Sequence, residues 1–174
     1  MRVLDLGCGT GTMAVWMKRR TPAAVIVGLD GDPDVLAIAR RNATRMGLEI
    51  EFRHGLSYEL PFAEGAFDRV LSSLFFHHLL PAQKRRTLAE VFRILSPGGE
   101  LYVADWGRPS GWMMRVLSYS IQLLDGFANT ADHVEGRLPQ YFREAGFEAV
   151  ELRSQLATPY GTMALYSARR PLGP

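Results

Sequence analysis

The sequence has only one cysteine, no apolar run long enough to cross a membrane and almost no excess of charge of either sign. Cys8 alone forms no intramolecular disulfide and provides no cysteine cluster for zinc. The net charge is +2 and the basic pairs are scattered, so we expect no nucleic-acid partner. The longest apolar region, residues 111–128, is interrupted by Arg115 and Asp125, and we therefore expect no membrane span.

The composition is that of an ordinary globular protein. Hydrophobic residues make up 47% of the 174 residues and charged residues 22%, and a chain of this length buries a substantial core. We therefore predict a single domain over residues 1–174. Asp5 interrupts the first apolar run almost at once, so we expect no signal peptide, and the cysteine content suits a cytoplasmic location.

Strand and helix patterns alternate along the first hundred residues. Apolar runs typical of buried strands occupy residues 2–7, 23–30, 48–55, 66–76 and 100–106. Segments with helical spacing lie between them, over residues 12–20, 33–47 and 81–99. Asp32 and Pro33 are typical of a helix start, and Gly47 of a helix stop. This alternation predicts a doubly wound α/β fold, whose sheet is mostly parallel and has helices on both faces.

Beyond Trp106 the pattern loosens. Residues 112–127 are apolar nearly all round, which predicts a helix buried between the core and another element. Residues 134–146 predict a second helix, which Pro139 either bends or begins. The tail, residues 147–171, predicts two strands joined through residues that favour a turn.

A glycine-rich loop, D-L-G-C-G-T-G over residues 5–11, follows the first predicted strand. Ligands of parallel sheets bind beyond the carboxyl ends of the strands, so we expect this loop in the site. Its spacing differs from the dinucleotide fingerprint, whose third glycine would fall at Thr12, and from the lysine-containing P-loop. Asp30, at the end of the second strand, favours a nucleoside because a carboxylate accepts from both ribose hydroxyls; a helix-capping role is the alternative.

Four motifs in order resemble the class I S-adenosylmethionine-dependent methyltransferases, in particular the small-molecule branch that includes quinone-biosynthesis C-methyltransferases. The motifs read VLDLGCGTG, VGLDGDPDVL, LPFAEGAFDRVLSS and AEVFRILSPGGELYVADW. The resemblance spans roughly Val3 to Trp106 and extends loosely to FREAGFEAVEL. It implies a Rossmann-like sheet of seven strands with an antiparallel C-terminal strand. It also implies S-adenosylmethionine as cofactor, S-adenosylhomocysteine as product, and a small, apolar or aromatic acceptor.

The resemblance also implies a division of the domain and a set of cofactor contacts. Residues 1–106 would form the cofactor-binding core, residues 107–146 a helical acceptor-side region and residues 147–170 a strand pair. By resemblance, Asp5 and Gly7 approach the amino-acid end of the cofactor, Gly9 packs beneath it and Asp30 holds its ribose. The expected cofactor-binding residues are Asp5, Gly7, Cys8, Gly9, Gly11, Asp30, Gly31, Ser57 and Ser73.

One position departs from the family pattern. Leu56 stands where the family commonly has an acidic residue that bonds the adenine amino group. We therefore expect adenine recognition to rest on backbone groups, on Ser57 or on stacking. Members of the family usually carry a helical segment before the first strand, so we also expect a site that is open on that side or covered by a partner subunit.

The candidates for chemistry follow the fourth and fifth predicted strands. Methyl transfer needs an aligned nucleophile, and a dedicated base is optional. His77 and His78 are the candidate bases by position, with packing of the loop as the alternative role. Asp105 ends the fifth strand and is expected to face the site. Three further residues are expected along the acceptor pocket: Trp112, Tyr119 and His133.

Two other functions stay open beside methyl transfer. One is a cofactor-binding or interaction module of the same fold that has lost catalysis. The other is a nicotinamide-dependent dehydrogenase, which Thr12 disfavours because it breaks the fingerprint. The motifs of pyrimidine and amino-methylating nucleic-acid enzymes are absent, so a small-molecule acceptor is favoured. The sequence leaves open whether N, O or C is methylated and whether the chain is a monomer or a homodimer.

Overall fold

The computed structural model describes residues 1–107, 136–159 and 161–173. Seven strands are described: Arg2–Leu6 (β1), Val25–Asp30 (β2), Glu51–His54 (β3), Phe67–Ser73 (β4), Leu95–Trp106 (β5), Glu148–Thr158 (β6) and Gly161–Arg169 (β7). The described helices are Thr12–Arg20 (α1), Pro33–Arg45 (α2), Pro81–Ile94 (α3) and Leu138–Glu144 (α4), with a 3₁₀ turn over Phe76–His78. None of these helices is long and apolar enough to cross a membrane.

The strands form one sheet in the order β3-β2-β1-β4-β5-β7-β6. The pairs from β3 to β5 are parallel, and β7 lies antiparallel between β5 and β6. The predicted α/β fold, with a mostly parallel seven-stranded sheet and an antiparallel C-terminal strand, is confirmed. The chain runs outward from β1 to β3 and then returns to β4, so the crevice beyond the carboxyl ends of β1 and β4 is the topological switch point.

Apolar residues on the two faces of the sheet enter two separate cores. Successive strand residues point to opposite faces, so Val3 of β1 enters one core and Leu4 the other. The core of Val3 also contains residues of α1 and α2, among them Ala14, Met17, Leu36 and Ala39. The core of Leu4 contains residues of α3 and α4, among them Leu88, Val91, Leu138 and Phe142. The described helices therefore cover both faces, as the alternating pattern predicts.

Helix α2 begins and ends at the residues that predict it. The Asp32 side chain caps it by accepting from the backbone amides of Asp34 at 2.8 Å and Val35 at 3.3 Å, and Pro33 opens the first turn. Gly47 follows the last turn with a φ of +64°, a backbone angle that favours glycine. The cap therefore places the start of α2 directly beside the end of β2.

Two predicted boundaries are corrected by long-range contacts, and one of the two alternatives stated for Pro139 holds. Helix α3 ends at Ile94, not at residue 99, because the fully buried Leu95 already pairs with Phe67 of β4. Strand β3 begins at Glu51, where pairing with β2 starts. Pro139 lies in the first turn of α4, so it begins this helix and does not bend it. The predicted helix over residues 112–127 lies outside the described residues.

Candidate functional site

The glycine loop turns over the carboxyl end of β2. The backbone amides of Gly7 and Cys8 donate to the Leu29 carbonyl at 2.9 and 3.0 Å, and the Gly11 amide donates to the Cys8 carbonyl at 2.9 Å. The φ angles of Gly7, Gly9 and Gly11 are +70°, +51° and +78°. Side chains rarely tolerate this region, so the shape of the loop depends on its three glycines.

The three glycines meet different surroundings. A Cβ atom on Gly7 would lie 2.4 Å from Cδ2 of Phe75, and one on Gly11 would lie 3.0 Å from both Ala39 and Phe52. A Cβ atom on Gly9 would meet nothing within 4 Å among the described residues. Gly7 and Gly11 therefore allow close packing of the protein itself, whereas Gly9 leaves space for a ligand above the loop.

A cleft of about 670 Å³ opens at the switch point. It is lined by Asp5, Gly7, Cys8, Gly9, Thr10, Thr12, Met13, Trp16, Ser73 and Leu74. A smaller cavity of about 100 Å³ is lined by Gly7, Leu29, Asp30, Gly31, Gly55, Leu56, Ser57, Tyr58, Phe75 and Leu79. Both spaces have Gly7 in their walls, so together they suit an elongated ligand with two chemically different ends.

Asp5 lies at the end of β1 in the wall of the larger cleft, and its side chain is almost fully buried. Its Oδ2 atom has no hydrogen-bond partner in the part of the chain that the structure describes. Burial is the main reason that the pKa of this carboxyl rises from 3.8 to about 7. The Ala14 amide opposes this rise and the nearby Asp30 carboxylate adds to it. Asp5 is therefore poised to change its protonation state near neutral pH.

Asp30 connects the loop to the start of α2. Its Oδ2 accepts from the Gly9 amide at 2.8 Å, and its Oδ1 accepts from the Asp32 amide at 3.0 Å. Each carboxylate oxygen has a second lone pair for a ligand. The side-chain cap of α2 is Asp32, so the capping role considered for Asp30 belongs to its neighbour.

Cys8 is buried beneath the loop. Burial, followed by the carboxylates of Asp5 and Asp30, raises the pKa of its thiol well above the usual range. Its Sγ lies where a Cβ atom on Gly28 would come within 2.9 Å, so the thiol packs closely against β2. Cys8 therefore acts as a small packing residue, and its thiol lacks the thiolate character that a nucleophile needs.

The smaller cavity has an apolar wall and one anchored hydroxyl. Leu56 is 45% exposed, and its Cδ2 is the side-chain atom nearest to a Cβ atom placed on Gly31, at 3.7 Å. The buried Ser57 hydroxyl lies 2.8 Å from the Thr87 hydroxyl on α3. Ser57 therefore fastens the segment after β3 to α3, in addition to lining the cavity.

The two adjacent histidines have different environments. His77 is buried, and its Nδ1 lies 2.8 Å from Oδ1 of the fully buried Asp105. Its backbone amide also donates to Oδ2 of Asp105 at 3.3 Å. His78 is exposed, with its ring centroid 3.9 Å from that of His77. Asp105 therefore ties the 3₁₀ turn to the end of β5 and orients the ring of His77.

The structure brings together most residues that the sequence predicts for the cofactor. Asp5, Cys8, Gly9 and Ser73 line the larger cleft, Asp30, Gly31 and Ser57 line the smaller cavity, and Gly7 lines both. Gly11 lines neither, because it packs against α2 and β3. His77 and His78 are likewise absent from both linings, and the expected pocket residues Trp112, Tyr119 and His133 lie outside the described residues.

Sequence reasoning missed the apolar side of the larger cleft. Met13 and Trp16 of α1 and Leu74 after β4 lie in its wall, and Trp16 is 54% exposed. The sequence contains a pattern that indicates Met13 and Trp16, because apolar residues three positions apart in the first turns of a helix share one face. Leu74 has a φ of +52°, which its sequence context does not predict.

Solved structures share this fold along nearly the whole chain. A SAM-dependent methyltransferase from Methanosarcina mazei superposes with a TM-score of 0.80 at 22% identity, covering 99% of this chain and 93% of that one. At this level of identity the likeness shows the fold alone.

Curated relatives are similar in sequence over part of their length. A demethylmenaquinone methyltransferase of Thermus thermophilus is 44% identical over 108 residues, which are 62% of this chain and 48% of that protein. A methyltransferase of Streptomyces halstedii, GfsG, is 30% identical over 173 residues, covering 94% of this chain and 59% of that protein. The chain spans about half the length of the first curated relatives it matches.

The family profile described as "Methyltransferase domain" matches residues 3–99. This span includes the glycine loop, Asp5, Asp30, both histidines and the walls of both cavities. The resemblance found in the four sequence motifs is thereby confirmed, and the chain belongs to the methyltransferase domain family.

Proposed function

We propose that this domain transfers a methyl group from S-adenosylmethionine to a small acceptor of the quinone type. The observation that carries the proposal is the two-part site at the switch point, with a buried carboxyl at one end and Asp30 at the other. Two relatives, from Thermus thermophilus and Deinococcus radiodurans, are named demethylmenaquinone methyltransferases, and each is matched over about half of its length. These names support a quinone-type acceptor, and the shared fold supports a donor site at the switch point.

The proposed donor has parts that suit each end of the site. Its ribose diol would donate hydrogen bonds to Asp30, which lies in the wall of the smaller cavity. Its adenine would lie among the apolar groups there, near Gly31 and Leu56, with the buried Ser57 close by. Its amino-acid end would lie in the larger cleft near Asp5, above the open side of Gly9.

The acceptor side has the apolar lining that a planar ring needs. Met13, Trp16 and Leu74 give the larger cleft an apolar wall. Aromatic acceptors bind such walls by stacking and by burial of their ring surface. We place the quinol ring on this side, with its reacting carbon directed toward the donor.

The cofactor supplies an electrophilic methyl group when it is bound, and the chain supplies position and a proton acceptor. The walls of the cleft align the acceptor and exclude water from the reacting atoms. Loss of a hydroxyl proton from a quinol makes its ring carbon more nucleophilic. His78 lies outside the described lining of both cavities, on the 3₁₀ turn that follows Leu74 of the cleft wall, and we assign this proton to it because it is the exposed histidine of that turn. The buried His77, held by Asp105, positions the turn.

Calorimetry with S-adenosylmethionine and S-adenosylhomocysteine tests the donor site first. Asp30→Asn is expected to weaken binding at least tenfold because it removes charged hydrogen bonds to the ribose. Asp34→Asn, which changes an exposed carboxylate on α2, serves as the matched control. Absence of binding by either ligand to the folded wild-type chain at millimolar concentration would refute the proposal.

Methyl transfer is tested with the reduced form of a short-chain demethylmenaquinone, followed by mass spectrometry of the product. His78→Ala should lower the transfer rate and remove the acidic limb of the pH–rate profile, because the proton acceptor is lost. His78→Ala should leave the affinity for S-adenosylhomocysteine unchanged. An unchanged profile in this variant would exclude His78 as the base.

A module of the same fold that binds the cofactor without catalysis is the second candidate. Two observations favour it. Leu56 stands where the family commonly has an acidic residue that bonds adenine, and the neighbouring Ser57 hydroxyl is already hydrogen-bonded to the Thr87 hydroxyl. Cofactor binding without transfer to quinols, phenols or amines would select this candidate over the first.

A further inference from the structure

A buried carboxylate oxygen without a partner needs an explanation. Asp5 is 1% exposed, yet its Oδ2 accepts no hydrogen bond from the described residues. Leaving a charged oxygen buried and unpaired costs several kcal/mol, so such atoms are rare in folded proteins. Asp5 lies in the wall of the larger cleft, so a ligand in that cleft is the natural partner for this oxygen.

Among the described surroundings of Asp5, burial and the Asp30 carboxylate disfavour its negative charge in the free domain, and the Ala14 amide favours it. From β2 it faces another carboxylate, Asp30, and from the loop it faces the Cys8 thiol, which burial keeps neutral. The backbone amide of Ala14 on α1 donates a hydrogen bond to the Asp5 carboxyl. Ser73 of β4, which carries no charge, lies in the same cleft wall. The positive charge of Arg40 lowers the pKa of the Cys8 thiol. The Arg40 guanidinium itself donates a hydrogen bond to the Phe52 carbonyl at 3.0 Å.

We propose that Asp5 carries a proton in the unliganded domain and releases it when the ammonium group of the methyl donor enters the cleft. Binding of the donor is then coupled to the release of one proton from the site. This inference rests on the proposed function, because it takes the amino-acid end of S-adenosylmethionine as the incoming cation. The O–H bond of the carboxylic acid breaks and its proton passes to solvent. The carboxylate then accepts a hydrogen bond from the ammonium group, which keeps all of its own N–H bonds.

The coupling has a measurable size. Since the pKa of Asp5 is raised to about 7, about half of the unliganded molecules hold this proton at pH 7. About half a proton per site should therefore be released on binding at pH 7, about 0.9 at pH 6 and about 0.1 at pH 8. The affinity should fall about tenfold between pH 8 and pH 6, because proton and ligand compete for the same carboxylate.

Calorimetry of S-adenosylhomocysteine binding, in pairs of buffers with different ionisation enthalpies, measures the released protons directly. This probe retains the ammonium group and has no reactive methyl group. Methylthioadenosine lacks the amino-acid end, so it should bind the wild-type chain with no proton release at any of the three pH values. Asp5→Asn should bind S-adenosylhomocysteine without proton release and with a pH-independent affinity, whereas Asp34→Asn should behave as wild type.

The outcomes separate the inference from the function on which it rests. Binding of S-adenosylhomocysteine without proton release at pH 6 and 7 would overturn the inference and leave the proposed function standing. Equal proton release by methylthioadenosine, or by Asp5→Asn, would also overturn it. Absence of binding by both donor and product would refute the proposed function itself. If Asp5→Asn does not fold, the comparison of the two ligands on the wild-type chain decides.

Discussion

Alanine at Gly7 and at Gly9 separates two reasons for glycine in the ligand loop. Both positions have positive φ angles, +70° and +51°, so both substitutions strain the backbone in the same way. Their surroundings differ, because a Cβ atom on Gly7 would collide with Phe75, whereas one on Gly9 would meet no described residue within 4 Å. The difference between the two variants therefore measures the steric contribution alone.

The expected magnitudes follow from these contacts. An alanine in the left-handed region costs about 1–2 kcal/mol, which is the whole loss expected for Gly9→Ala. At Gly7 the new Cβ atom would lie 2.5 Å from Cγ and 2.9 Å from Cβ of Phe75, so the collision reaches the root of that side chain. Rotation of the ring does not relieve it, and overpacking adds about 1–3 kcal/mol. Gly7→Ala should therefore lose about 2–5 kcal/mol.

Urea unfolding without ligand, followed by circular dichroism, gives both free energies of unfolding. The double variant Gly7→Ala, Phe75→Ala is the internal control, because the collision is absent once Phe75 is truncated. In the Phe75→Ala background the loss at Gly7 should shrink to that of Gly9→Ala. Equal losses for the two single variants, or an undiminished loss in the Phe75→Ala background, would show that the close contact is not what requires glycine at this position.

Three further predictions concern titratable groups. The pKa of Asp5 rises from 3.8 to about 7 on folding, so its negative charge lowers the stability of the folded state increasingly as pH rises through that range. Asp5→Asn should therefore raise the free energy of unfolding by about 2–4 kcal/mol at pH 8 and by little at pH 4. Urea unfolding at both pH values measures this difference. The Cys8 thiol should resist iodoacetamide in the folded protein and react in urea, as mass spectrometry would show. The pKa of Glu90 is lowered chiefly by its hydrogen bond with Arg93, and the Glu90 carboxylate also accepts a hydrogen bond from the Leu60 amide at 2.8 Å. Glu90→Gln should therefore lower the free energy of unfolding in urea by about 1–2 kcal/mol at pH 7. This loss should fade as pH falls below 4.5, because the wild-type carboxylate is then protonated as well.

The local patterns of the sequence predict the elements that depend on neighbouring residues. Asp32 and Pro33 predict the start of α2 because a cap bonds amides only two and three residues away. The glycine loop and Asp30 are likewise predicted, since each follows directly from the end of a strand. The order of motifs then identifies the family, which the profile match over residues 3–99 confirms.

Features that depend on distant residues were not predicted. The helical spacing of α3 continues past Ile94, and only the pairing of Leu95 with Phe67, made across the sheet, ends the helix there. The distinction between Gly9 and Gly11 depends on Ala39 of α2 and Phe52 of β3, both of which lie far from Gly11 in the sequence. The Asp5 oxygen that lacks a partner among the described residues is buried by the folded chain, and no local pattern in the sequence reports it.

Asp30 gives the site a mechanical property as well as a chemical one. One of its oxygens holds the Gly9 amide and the other holds the Asp32 amide, so a single side chain joins the ligand loop to the first residue of the α2 cap. A diol bound to the same two oxygens adds to these bonds and does not replace them. We expect occupancy of the site to slow the opening of the loop and of the first turn of α2 together. Slowed amide exchange at Asp34 and Val35, whose amides bond the Asp32 cap, would report this coupling.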